Sequence, residues 1–158
     1  MAAELITKAG NAMSSKNFMR LMKSILTDGK LDGCGITSSG ANITVAAGRI
    51  VAGGALVALD STTVTASVAG ELFLRIDTSG EGSASILARA AIALTKQDIT
   101  GAGTVYEVQL ATFGFSSGAV SGLSVKIGTA APIGASGRGI YVQQSAPSNP
   151  ITGDLWFW

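Results

Sequence analysis

The sequence predicts a mainly β protein: an antiparallel β-sandwich or barrel-like domain, preceded by one short N-terminal α-helix and followed by a small C-terminal extension. Three observations predict this fold class. One stretch near the start has helical periodicity, apolar and polar side chains alternate with a period of two after Gly33, and glycine-rich turns separate the alternating runs. A chain of 158 residues is long enough for one domain with a short appendage.

We predict three regions along the chain. Residues 1–32 form an N-terminal arm and helix, residues 33–127 form the β-sandwich domain, and residues 128–158 form a linker followed by a C-terminal docking segment. The helix is predicted to begin at Ser14 or Ser15, whose hydroxyl groups are suitable N-caps, and to end at Asp28-Gly29. The helical spacing defines an apolar stripe that consists of Phe18, Leu21, Met22 and Ile25.

The other face of the predicted helix is basic and consists of Lys16, Arg20 and Lys23. This basic face could bind an acidic partner, but we expect it to be solvated. A helix of about twelve residues is marginally stable alone. The apolar stripe must therefore pack either on the following sheet or on another subunit.

The region after Gly33 is predicted to contain seven or eight short strands, as in a β-sandwich or a related barrel. The apolar faces of the runs consist of Ile43, Val45, Val64, Ala66, Val68, Leu72, Leu74, Ile76, Ile86, Ala88, Ala90, Ile92, Leu94, Tyr106, Val108, Leu110, Leu123, Val125 and Ile127. The opposite faces, expected to meet water, include Glu71, Phe73, Arg75, Asp77, Arg89, Glu107 and Gln109. One buried face per strand is typical of an antiparallel sheet.

The C-terminal region changes character twice. Residues 128–139 are rich in small side chains without periodicity, which indicates a linker. Residues 140–144 could form one more strand. The chain then closes on Trp156, Phe157 and Trp158, and we expect such an apolar end to be docked, either on its own domain or on a neighbouring subunit.

Composition excludes several function classes. The chain has no histidine, so neither histidine-based catalytic triads nor histidine metal ligands are available. A net charge of +1 gives no basic stripe for nucleic acid, and no uninterrupted apolar stretch predicts membrane insertion. Cys34 is the only cysteine, and we interpret it as a small buried hydrophobic residue. The acidic loop at residues 28–33 has Lys30 where a calcium ligand belongs, so we interpret it as a turn.

Four stretches of the chain resemble phage tail and baseplate structural proteins. They are Asn17-Phe18-Met19-Arg20-Leu21-Met22 running into Ile25-Leu26-Thr27-Asp28-Gly29; Ile43-Thr44-Val45-Ala46-Ala47-Gly48-Arg49-Ile50-Val51-Ala52-Gly53-Gly54; Leu72-Phe73-Leu74-Arg75-Ile76-Asp77 followed later by Tyr106-Glu107-Val108-Gln109-Leu110-Ala111-Thr112; and Ala146-Pro147-Ser148-Asn149-Pro150-Ile151-Thr152-Gly153-Asp154-Leu155-Trp156-Phe157. The second stretch looks like the hairpin that is common near the start of such proteins. The fourth is similar to a short motif that recurs in tail-fibre and tail-tip chains.

The resemblance implies a structural component of a virion tail or baseplate, made in the host bacterial cytoplasm. It implies a homo-oligomer, often a homotrimer, that attaches to other tail proteins. The residues themselves predict no catalytic site, metal or cofactor. The residues that we predict to form the interface are Phe18, Met22 and Ile25, the basic residues Lys16, Arg20 and Lys23, and the terminal Trp156, Phe157 and Trp158. A buried tryptophan contributes strongly at interfaces.

A different function class is a module that binds host-surface carbohydrate for host attachment. Sugar sites set aromatic faces beside polar groups, and the candidate aromatic residues are Tyr106, Tyr141, Trp156 and Trp158. An enzyme would need a cleft lined with ionisable groups, and no motif in the sequence predicts one.

Overall fold

Alternating apolar and polar side chains fold most of this chain into short antiparallel strands. The computed structural model describes residues 14–133, together with the backbone of residues 140–142 and 155–157. Within the residues that the structure describes, the protein is mainly β, with 54% of them in strands and one short N-terminal helix, which confirms the predicted fold class.

In chain order the elements are helix α1 (Ser15–Ile25) and strands β1 (Gly29–Gly33), β2 (Ile36–Ser39), β3 (Asn42–Val45), β4 (Gly48–Ala52), β5 (Ala55–Leu59), β6 (Thr62–Thr65), β7 (Gly70–Asp77), β8 (Ser83–Arg89), β9 (Val105–Ser116), β10 (Ala119–Val125), β11 (Ile140–Val142) and β12 (Leu155–Phe157). The first sheet has the order β1-β4-β5, the second β2-β3-β6 and the third β10-β9-β7-β8. All pairings within these three sheets are antiparallel. Strands β11 and β12 pair with each other in parallel.

The core lies between the inner faces of the three sheets. Ile43 and Val45 of β3, Leu72 and Leu74 of β7, and Leu110 of β9 are fully buried in one cluster, as the alternation predicts. Cys34 is also buried, as expected, and burial raises the pKa of its thiol.

Two runs end earlier than their alternation predicts. Strand β6 stops at Thr65, and Val68 beyond it is 50% exposed. Strand β8 stops at Arg89, and Ile92 is 60% exposed. The chain leaves β8 at this point because it crosses to the free side of β9, where the Thr95 carbonyl accepts a hydrogen bond from the Glu107 N–H.

The predicted polar face of the third sheet is wrong at three positions. Glu71, Phe73 and Glu107 are buried, although each lies opposite the core side of its strand. The guanidinium group of Arg89 covers the Phe73 ring at 3.7 Å from its centroid. This sheet therefore buries side chains on both faces.

The helix is shorter at its C-terminal end than predicted. Its N-cap is Ser14, whose hydroxyl accepts a hydrogen bond from the Asn17 N–H, in agreement with the sequence. It ends at Ile25 because Leu26 is already extended and forms a β-bridge with Pro132. Asp28-Gly29 thus lies beyond the helix, at the start of β1.

The beginning of the predicted linker is docked on the body of the protein. Residues 128–133 run beside residues 25–30, with Thr27 N–H donating to the Ala131 carbonyl at 2.8 Å and Ile133 N–H donating to the Ile25 carbonyl at 2.8 Å. The small side chains of this stretch permit the approach, since a Cβ at Gly29 would overlap the backbone of Ala130. The chain therefore passes the C-terminal end of α1 before it continues to β11.

Candidate assembly surface on the N-terminal helix

The basic face of α1 binds the turn at residues 98–101 of the same chain. Lys16 Nζ donates to the Gly101 carbonyl at 3.0 Å, Arg20 Nε donates to the Thr100 carbonyl at 3.1 Å, and Lys23 Nζ lies 2.8 Å from the Asp98 carboxylate. These side chains remain exposed, as predicted, but their charged ends hold the helix to the body. Their predicted contact with a partner subunit stays a prediction.

The Asp98 carboxylate is the acidic end of this attachment. It accepts hydrogen bonds from Lys23 and from the Thr100 hydroxyl, and these bonds lower the pKa of Asp98 to about 2. The group therefore stays ionised through the neutral and mildly acidic range. Sequence reasoning missed it because residue 98 is remote from the helix along the chain.

A glycine turn lets the helix backbone approach the first sheet. Gly53 and Gly54 connect β4 to β5, and Gly54 has a φ of +88°. A Cβ at Gly54 would overlap the carbonyl oxygen of Met19, so this position requires glycine both for its φ and for the close approach. Met19 itself packs against the core, although it belongs to neither the predicted apolar stripe nor the basic face.

The Asp28 carboxylate joins the end of the helical region to this turn. One oxygen accepts a hydrogen bond from the Gly53 N–H at 2.8 Å, and the other accepts one from the Tyr106 hydroxyl at 2.5 Å. Burial and the bond to Asp28 both raise the pKa of Tyr106. Tyr106 is a carbohydrate-binding candidate in the sequence, but its ring lies against Gly53 and its hydroxyl is used internally.

The two acidic residues of segment 28–33 make different contacts. Asp28 bonds to the turn and to Tyr106, whereas Asp32 pairs with Arg49 on β4. The interpretation of this segment as a turn is wrong, because Gly29–Gly33 form strand β1, which pairs with β4. Among the described residues, no cluster of acidic, cysteine or histidine side chains is arranged to hold a metal ion.

The apolar side of α1 is open. No residue of the helix is buried, and Phe18 and Leu21 are 38% and 44% exposed. Met22 and Ile25 are partly buried. At about 100° per residue, Leu21 lies roughly 160° around the helix from the core-facing Met19. The predicted stripe is therefore open at Phe18 and Leu21 and partly covered at Met22 and Ile25.

A groove separates α1 from strand β5. It has a volume of about 400 Å³ and is lined by Ser15, Phe18, Met19, Ala55 and Leu56. Leu56 projects from β5 and is 43% exposed. We use the term helix groove for this feature. The helix groove and the Leu21 side together form the open apolar surface of the helix.

The main concentration of buried charge lies elsewhere, on the outer face of the third sheet. The Glu107 carboxylate accepts hydrogen bonds from three residues. The shortest bonds from Arg75 and Arg89 are 3.0 Å long, and the bond from the Thr95 N–H is 2.8 Å long. Burial alone would raise the pKa of Glu107, but these hydrogen bonds more than offset it and hold the pKa below its ordinary value. Glu71 accepts a bond from Gln109, and its other oxygen lies 3.5 Å from Arg89 Nε.

These contacts define what the charged cluster does. Both carboxylates are held by neighbouring cations or amides, and together they fix Arg89 above the Phe73 ring. We therefore assign the cluster a structural role in the sheet.

The C-terminal interface candidates are only partly covered by the structure. Trp156 and Phe157 lie in β12, where they are in register with Tyr141 and Val142 of β11. Trp158 lies outside the described residues. The expected strand after the linker is present at residues 140–142.

Comparison with known proteins adds no relative. No protein-family model matches the chain, and a search of curated proteins finds no match. In the described part of the chain, no helix has the length and apolar character needed to cross a membrane.

Proposed function

We propose that this protein is a non-enzymatic structural subunit of a phage tail or baseplate, or of a related tail-like particle. It forms a homo-oligomer, as a homotrimer, and attaches to other tail proteins within the virion. The resemblance of its four sequence stretches to such proteins motivates the proposal. Its low charge, at 13% of residues, suits close packing between repeated subunits because burying charge is costly.

The open apolar surface of α1 is the observation that carries the proposal. The helix uses its cationic side to bind its own body and turns Leu21 and Phe18 toward solvent. Apolar side chains that cluster on an exposed helix favour association with a neighbour. A homo-oligomer built through such a surface needs no catalytic group, since the interface is its function.

The direct test is the native mass of the purified chain by light scattering at two concentrations. We expect about 47 kDa, three chains of 15.8 kDa in a closed ring, at both concentrations. Leu21→Glu places a charge on the outward side of the helix and should reduce the mass to that of one chain. Val68→Glu is the matched control, because Val68 is at least as exposed as Leu21 but lies after β6, so the variant should leave the mass unchanged.

The outcomes separate the proposal from its alternative. A wild-type chain that stays monomeric at both concentrations contradicts self-assembly, and a glycan array would then test the carbohydrate-binding alternative. If Leu21→Glu and Val68→Glu both keep the trimer mass, the interface lies away from α1. Incorporation of the Leu21→Glu protein into particles at the wild-type level would also contradict the assembly role of this surface.

A further inference from the structure

Helix α1 ends without a cap from its own sequence. Leu26, which follows its last residue, is extended, with φ −129° and ψ 143°, so the helix lacks the left-handed residue that commonly satisfies its last carbonyl groups. The Leu26 N–H still donates to the Met22 carbonyl, but the Ile25 carbonyl has no partner within the helix. It accepts a hydrogen bond from the Ile133 N–H at 2.8 Å instead. The cap therefore comes from a distant part of the chain.

Residues 128–133 hold the segment that leads out of the helix, and we use the term clasp for these six residues. The clasp forms five hydrogen bonds with residues 25–30. Besides the bond to Ile25, they run from the Thr27 N–H to the Ala131 carbonyl at 2.8 Å, from the Ala131 N–H to the Thr27 hydroxyl at 3.0 Å, from the Lys30 N–H to the Gly128 carbonyl at 2.9 Å, and from the Ala130 N–H to the Lys30 carbonyl at 2.9 Å.

The other attachment of α1 is weak by comparison. The basic face of the helix binds the turn at residues 98–101 through exposed side chains, and exposed polar contacts contribute little to stability. No residue of α1 is buried, and a helix of eleven residues is marginally stable alone. The clasp therefore supplies backbone hydrogen bonds to a helix that its own contacts stabilise only slightly.

We propose that the clasp and α1 form one coupled conformational device, in which the helix is ordered on the body only while the clasp is docked. Undocking leaves the Ile25 carbonyl without its cap and frees the segment that leads into β1, so the helix unwinds from its C-terminal end. The chain continues from the clasp toward β11. The clasp is therefore the point at which the C-terminal part of the chain acts on the helix.

The coupling also reaches the open apolar surface, because Phe18 and Leu21 lie on α1. When the helix unwinds, these two side chains no longer form one surface for a neighbouring subunit. This consequence rests on the proposed function, whereas the coupling itself does not. A monomer with a docked clasp satisfies the coupling equally well.

Gly29→Ala displaces the clasp selectively. The added Cβ would overlap the backbone of Ala130, and Gly29 does not have a positive φ, so the backbone of β1 itself tolerates alanine. Gly128→Ala is the matched control, because Gly128 lies in the clasp, also lacks a positive φ, and has nothing within 4 Å of its Cβ position. Hydrogen–deuterium exchange of the full-length chain follows residues 15–25, the clasp and strand β7 in each variant.

We expect Gly29→Ala to accelerate exchange about tenfold in both residues 15–25 and the clasp, because several hydrogen bonds are lost together. Exchange in β7 should stay at the wild-type rate, and Gly128→Ala should match the wild type in all three regions. Thr27→Val is a second, milder variant that removes the hydroxyl acceptor of the Ala131 N–H. It should accelerate exchange about fivefold in the same two regions, as expected for the loss of one hydrogen bond.

Three results would overturn the proposal. If Gly29→Ala accelerates exchange in the clasp but not in residues 15–25, the helix does not depend on the clasp. If neither Gly29→Ala nor Thr27→Val accelerates exchange in the clasp, these contacts do not hold it. Equal acceleration in β7 would show a general loss of stability instead of coupling.

The native mass keeps this inference separate from the proposed function. A wild-type chain that is monomeric contradicts the assembly role, while accelerated exchange in residues 15–25 of Gly29→Ala still supports the coupling. A wild-type trimer whose helix exchanges at the same rate in Gly29→Ala supports assembly and contradicts the coupling.

Discussion

The third sheet and helix α1 are stabilised in opposite ways. The sheet buries side chains on both faces, and its charged residues Glu71, Glu107 and Arg89 are held in a partly or fully buried cluster. The helix has no buried residue and is attached mainly through exposed basic side chains that bind the turn at residues 98–101. The sheet is therefore stabilised by burial on both of its faces, whereas the helix is held mainly by polar contacts at its edge.

This difference shows that an amphipathic sequence pattern does not always indicate a buried face. In the sheet, apolar alternation correctly identifies the core. In the helix, Phe18 and Leu21 of the apolar stripe lie on a surface that the rest of the described chain leaves open. The same pattern thus has two meanings, and the position of the neighbouring elements decides between them. Four variants test this contrast, beginning with the one that should have the largest effect.

Glu107→Gln should be the most destabilising change, because it removes the buried carboxylate that pairs with both Arg75 and Arg89 and leaves only Glu71 beside Arg89. Breaking a buried ion pair from one side costs about 4 kcal/mol in the free energy of unfolding. Urea unfolding measures this cost. Asp32→Asn is the control, since it removes an exposed ion pair with Arg49 and should have a far smaller effect. Equal effects in the two variants would mean that the buried carboxylate of Glu107 contributes no more to stability than an exposed ion pair.

Gly54→Ala should destabilise the junction between the helix and the first sheet by about 3 kcal/mol, because it adds a collision with Met19 to the strain of a positive φ. Gly80→Ala is the matched control. Its φ is +60° and nothing lies near its Cβ position, so we expect only the strain, about 1 kcal/mol. Unfolding free energies of the two variants give the difference. Equal unfolding free energies for the two variants would show that the Met19 carbonyl does not restrict the Cβ position at Gly54.

Tyr106→Phe removes one of the two described hydrogen bonds to the Asp28 carboxylate and should cost about 1 kcal/mol. A double-mutant cycle with Asp28→Asn measures the coupling between the two side chains. Coupling close to zero would show that Tyr106 stabilises the Gly53-Gly54 turn through its ring alone.

Acidification should increase local opening of the helix. Its effect on the global free energy of unfolding should be the smallest of the four predicted effects. The folded pKa of Asp98, about 2, lies below its ordinary value near 3.8. A lowered pKa stabilises the fold above pH 4, and this stabilisation is lost as the pH falls from about 4 toward 2. Hydrogen exchange in residues 15–25, corrected for the intrinsic pH dependence, should therefore increase over this range.

Asp98→Asn should abolish that pH dependence, while Asp60→Asn, at another exposed loop carboxylate, should retain it. If the Asp98→Asn protein responds to acid as the wild type does, the ion pair with Lys23 does not attach the helix.

The sequence predicted much of the fold but less of the candidate surface. Alternation identified Leu72 and Leu74 as core residues, and capping chemistry identified Ser14 as the start of the helix. The same alternation predicted a solvated Glu107. No local pattern reveals that Arg75, Arg89 and Thr95 converge on that carboxylate. The residues that bind the basic face of α1 were likewise invisible, since they lie about 80 positions away in the chain.

The sequence by itself determined the mainly β fold class, the helix with its apolar stripe and most of the core residues, because these follow from local periodicity and capping. Only the tertiary structure decided which side of the helix faces the body. Met19 and the basic residues face it because the Gly53-Gly54 turn and the Asp98 turn converge there, and Phe18 and Leu21 are left outside. Contacts between distant parts of the chain set that choice, and they depend on how the sheets are arranged rather than on any local pattern.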